Sequence, residues 1–118
     1  MRILLDEHLN IRLYRVFGDD FLYRVFGDDF DAETVAYRGW KGVTNGELLQ
    51  RVAEEYDGFL TLDRGIPHQQ RVEVLDLRVI VLEAESDDFN DLAPLIPLAE
   101  EAFRDMADGE VRHVQAPA

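Results

Sequence analysis

Residues 1–9, MRILLDEHL, open the chain with a short apolar run, Ile3, Leu4 and Leu5, followed at once by Asp6, Glu7 and His8. A continuous run of this length suits a strand covered on both faces, as in parallel sheets. In open α/β sheets the ligand crevice lies outside the carboxyl ends of the strands, so Asp6 stands where chemistry belongs. The plan recurs in residues 58–63, GFLTLD, where a second apolar run ends in Asp63, with Arg64 and Gly65 behind it. Two buried strands that each deliver an aspartate to an edge are the frame for the rest.

Outward from that frame, Asn10 to Phe17 carries Leu13, Val16 and Phe17 at helical spacing and predicts a helix. LYRVFGDDF at 13–21 is then repeated without change at 22–30, a local duplication in an otherwise complete domain. Two copies are too few for a solenoid, which needs at least three units. If one helix ran through both, nine residues at roughly 100° each would turn its apolar stripe by about 180°. Leu22, Val25 and Phe26 would then face away from the core, and a second copy of the chain is the simplest cover, giving a homodimer with a possible exchange of the duplicated segment. The other reading ends the first helix at Gly18 and folds the second copy back as a short helix of its own.

Downstream, Asp31 to Tyr37 reads as a strand at a sheet edge, and Trp40, in the turn RGWKG, as a packing anchor rather than a base-stacking platform. Thr44-Asn45-Gly46-Glu47 has the pattern of a capping box opening a helix through Tyr56, with Leu48, Leu49, Val52 and Ala53 on its apolar face. After the Asp63 strand, His68 to Leu75 is a short helical segment and Arg78 to Leu82 a buried strand. Asp87 to Met106 is a long helix that Pro94 and Pro97 kink or divide, Glu110 to Val114 a last strand, and Gln115 to Ala118 a loose tail. Strands alternating with helices predict a single α/β domain over 1–118, a three-layer α/β/α arrangement around a mostly parallel sheet.

Composition narrows the chemistry. With no cysteine, disulfides, zinc-thiolate sites and thiol nucleophiles are excluded. No apolar run approaches the roughly 18 residues of a membrane span, so a cytoplasmic protein is expected. A net charge of −13 argues against a broad phosphate-binding surface, though not against a local one. Lys41 is the sole lysine, so the basic residues are almost all arginine, suited to bidentate recognition of phosphate or carboxylate. An acidic surface that merely keeps the protein soluble accounts for the charge equally well.

Asp6, Asp63 and Glu47, which opens the helix immediately before the Asp63 strand, form a candidate set of carboxylates, and such oxygen ligands suit Mg²⁺ or Mn²⁺. An ion of that kind activates water and offsets charge on a phosphodiester. Arg64 is a candidate phosphate contact and His68 a candidate substrate contact. Each has a plainer reading: an aspartate after a strand is often a loop residue or helix cap, Glu47 can serve its capping box, Arg64 can pair with Asp63, and His68 can be a polar loop residue. His113 is given no role. A phosphoryl-receiver domain would need a lysine after a late strand, where Glu83-Ala84-Glu85 stands, and a phosphate-binding glycine loop is missing after the first strand.

MRILLDEHL, TNGELLQRVAEEYDGFLTLDRGIPHQQ and VIVLEAES, in this order and spacing, resemble the short bacterial PIN-like proteins related to VapC-type toxins. The resemblance covers the chain apart from one copy of the duplicated block. It implies a PIN-type α/β/α fold, a Mg²⁺- or Mn²⁺-dependent ribonuclease acting on RNA, and a small antitoxin as partner, with Asp6 and Asp63 as metal carboxylates. The chain departs from the pattern at Asn45, where relatives commonly have Asp, and at Ile66, where larger PIN domains often have a further acid. The expectation is therefore a carboxylate-metal ribonuclease with Asp6, Asp63 and Glu47 at its centre. The alternative is a weakly active or inactive PIN-like binding module dimerised through the duplicated segment.

Overall fold

A computed structural model describes residues 1–9 and 30–116. Five strands, β1 (Arg2–Leu5), β2 (Asp31–Thr34), β3 (Gly58–Thr61), β4 (Arg78–Glu83) and β5 (Val111–Gln115), form one sheet in the order β2-β1-β3-β4-β5. Every pairing is parallel. The α/β class and the parallel sheet expected from the strand and helix alternation are thus present.

The helices are α1 (Val35–Arg38), α2 (Asn45–Glu55), α3 (Ile66–Gln69), α4 (Phe89–Leu92) and α5 (Ile96–Asp105). Period-2 alternation in the strands sorts the core into two clusters. Ile3, Leu5, Leu60, Ile80 and Leu82 meet Ile96, Ala99 and Phe103 of α5 on one face. Leu4, Phe59 and Val79 meet Leu48, Leu49 and Val52 of α2 on the other. The sheet is the middle of three layers. Gly58 lets the upper layer close: a Cβ there would stand 2.6 Å from both Phe103 Cε1 and Ile3 Cδ1, so only glycine admits the ring.

Several expected boundaries move. The strand expected over Asp31–Tyr37 ends at Thr34, whose hydroxyl accepts from the Tyr37 N–H at 3.0 Å and starts α1 instead. Gly39, at φ 72°, closes that turn in the left-handed region. The Asp87–Met106 helix is divided, as the prolines predict: a 3₁₀ turn, Ala93–Leu95, separates α4 from α5. His68–Leu75 resolves into α3, which begins at Ile66, and a 3₁₀ turn at Val72–Val74. Gln115 belongs to β5 rather than to a tail, because it pairs with Glu83 of β4. The helix over Asn10–Phe17 and the duplicated block apart from Phe30 lie outside the described residues.

Candidate functional site

The strand order reverses between β1 and β3, the neighbours from which the chain winds outward in opposite directions. Crevices of doubly wound sheets open at such a switch point, at the carboxyl ends of the strands. Asp6 follows β1 and Asp63 lies two residues past β3, so both candidate aspartates flank this point. The parallel pairing extends past β1, with the Asp6 N–H donating to the Leu60 carbonyl at 3.0 Å.

Asp6 is only 6% exposed. One carboxylate oxygen accepts from the Thr61 hydroxyl at 2.6 Å and the other from the Glu7 N–H at 2.8 Å. Burial raises its pKa above the ordinary 3.8, opposed by those two hydrogen bonds and by the nearby His8. The fully buried Thr61 joins the strand ends, since its hydroxyl donates to Asp6 and its Oγ1 accepts from the Asp63 N–H at 3.0 Å. Asp63 is turned in place by the Gly65 N–H, which donates to its Oδ1 at 2.8 Å. No basic side chain among the described residues forms an ion pair with Asp6 or Asp63.

The other candidates are spread more widely. Glu47 lies in the first turn of α2, where the neighbouring Gly46 lies against Gln70, just after α3. Its carboxylate, however, pairs with Arg51 one turn along α2 at 2.7 Å and is 57% exposed. The capping box is not formed: Thr44 occupies the N-cap without a side-chain hydrogen bond, and Glu47 turns toward Arg51. Arg64 is exposed immediately after Asp63, and His68 is exposed on α3. Among the described residues, no three His, Cys, Asp or Glu side chains converge as a metal-ligand group.

Two carboxylates are nonetheless compatible with Mg²⁺, which commonly takes one or two from the protein and completes its shell with water and substrate phosphate. The burial of Asp6 without an ion-pair partner among the described residues fits that donor set, because an adjacent cation would favour the charged carboxylate. Thr61 escaped the reading of the sequence. Its signal was a hydroxyl inside an otherwise apolar run, two residues before Asp63. Trp40 is the packing anchor expected, edge-on to Tyr56 at 6.4 Å with the Arg38 guanidinium 4.3 Å above its ring.

Fold and site together define an α/β protein with an all-parallel, doubly wound sheet and paired aspartates at its switch point. Compared with family models, with curated proteins and with solved structures, the chain matches none. No helix among the described residues is long and apolar enough to cross a membrane.

Proposed function

We propose that the protein is a PIN-like, Mg²⁺- or Mn²⁺-dependent ribonuclease of the toxin type, hydrolysing RNA phosphodiesters at the edge shared by Asp6 and Asp63. The observation that carries this reading is the junction of the two aspartates through Thr61 at the switch point. Bound there, the metal supplies an activated water and positive charge against the phosphodiester. Asp6 and Asp63 would hold it, Thr61 and the Gly65 N–H fix their orientation, and Arg64 offers a fork to the phosphate. Glu47 would enter only by leaving Arg51. A small antitoxin as partner, a homodimer through the duplicated segment and a cytoplasmic location belong to the same proposal.

The second reading, a binding module on the same fold, is favoured by Asp6 itself. Both its oxygens are already hydrogen-bonded, as a structural residue closing the β1–β3 edge would require. Thermal unfolding with and without millimolar Mn²⁺, on the parent and on Asp63→Asn, tests the metal site. An ion at about 100 times its Kd adds roughly 2.7 kcal/mol to a folded state that alone binds it. The expected result is a rise in Tm of several degrees that Asp63→Asn abolishes, with RNA cleavage in the parent only. No rise and no cleavage would leave the binding module.

A further inference from the structure

Beyond Asp63 the carboxyl edge continues into an open pocket of about 460 Å³ at the ends of β4 and β5, with Arg64 on one side and Leu95 among its apolar walls. That size falls within the roughly 300–1,000 Å³ of small-molecule sites. Three carboxylates line it, and two already have partners: Glu83 takes the His113 Nδ1 at 3.0 Å, and Asp91 accepts from the Ser86 hydroxyl. Glu85 and Arg64 have no hydrogen bond or ion pair with another described residue. Among the described residues, the pocket therefore presents one acceptor pair and one cationic fork without a partner, beside an apolar wall and the amide of Gln115.

We infer that this pocket binds a guanine nucleotide, with Glu85 accepting from the Watson–Crick edge of the base and Arg64 holding its phosphate. Guanine alone among the four RNA bases sets a ring N–H beside an amino group, and a carboxylate can accept from both at once. Adenine and cytosine place a ring-nitrogen lone pair beside the amino group, which repels a carboxylate. Uracil flanks its single N–H with two carbonyl oxygens. Gln115, level with Glu83 across the β4–β5 pair, carries an amide able to donate to guanine O6. Reading unstacked bases on their Watson–Crick edges is the usual route to specificity on single-stranded RNA.

The inference deepens the ribonuclease reading and rests on it only for its consequence in cleavage, since Arg64 adjoins Asp63 and would place the bound guanosine beside the scissile phosphate. Binding is measured on the intact protein by titration calorimetry with GMP, AMP, CMP and UMP, in EDTA so that no metal contributes. GMP is expected to bind at least about tenfold more tightly than the other three, the discrimination of one good bidentate contact. Glu85→Gln should bring the four to near parity, and Arg64→Ala should weaken GMP while keeping its lead. Both side chains are exposed, so unchanged Tm values are the check on folding.

Equal affinity for all four nucleotides, or a preference that survives Glu85→Gln, would overturn the inference. So would an arginine-containing peptide that binds where no nucleotide does, which would make the pocket a protein-docking site. GMP preference without Mn²⁺-dependent RNA cleavage supports the pocket and rejects the nuclease. Cleavage with no nucleotide preference rejects the pocket and leaves the nuclease standing.

Discussion

Burying Asp6 makes the folded protein sensitive to pH through one named group. Its pKa is raised by desolvation, so near and above its ordinary value of 3.8 the folded state holds a proton that the unfolded chain has released. Stability from this group is therefore fully present below 3.8 and is lost as pH rises toward the folded value. Asp6→Asn removes that loss: in the absence of metal its Tm should exceed the parent's at pH 7, and the gap should close toward pH 4. With Mn²⁺ the order should reverse, since the parent alone gains the ion. Thr61 gives a second prediction at this scale. Thr61→Val strips the donor from Asp6 and the acceptor from the Asp63 N–H, and should cost about 1–3 kcal/mol in urea unfolding, with a weaker response to Mn²⁺. Thr61→Ser, which keeps the hydroxyl, should restore most of both. The two aspartates were legible because each ends an apolar run. The link between them was not, because it depends on the register that sets Leu5 beside Leu60 across separate strands.

Helix starts differ in a way that only the folded backbone reveals. Thr34 and Thr44 are both N-caps, yet only Thr34 caps with its side chain, its hydroxyl oxygen accepting from the Tyr37 N–H. Thr34→Ala should therefore cost about 1 kcal/mol, the usual worth of such a cap, whereas Thr44→Ala should change the urea midpoint very little. The capping-box pattern was misleading because Glu47 has a competing partner at i+4, Arg51, and takes it. The sheet and α5 meet at Gly58, where an added methyl would overlap Ile3 and Phe103. Gly58→Ala should destabilise by about 1–3 kcal/mol through overpacking, measured by the same unfolding experiment. In the sequence the glycine reads only as the first residue of the apolar run at 58–63. That it also admits Phe103, forty-five residues on, is a fact of packing between layers.

For the whole molecule, the duplicated block and the acidity are the features with consequences for assembly. Deleting residues 13–21 joins Arg12 to the second copy and retains Phe30, which is buried in the core. If the duplication serves dimerisation, light scattering should show a dimer for the parent and a monomer for the deletion, with Tm and the response to Mn²⁺ unchanged. A monomeric parent would remove the dimer from the proposal. With a net charge of −13, any RNA contact must be local, and Arg64 beside the paired aspartates is where the proposal puts it. The sequence by itself determined the class of this protein: apolar runs of strand length, alternating with helical spacing, cannot bury their side chains except in a covered, mostly parallel sheet. It also determined which aspartates end those runs. Tertiary structure alone decided the order β2-β1-β3-β4-β5, the convergence of Asp6 and Asp63 on one switch point, and the separation of Glu47 from them. The physical reason is that periodicity specifies what each element must bury, whereas neighbours across a sheet are chosen by packing between residues far apart in the chain.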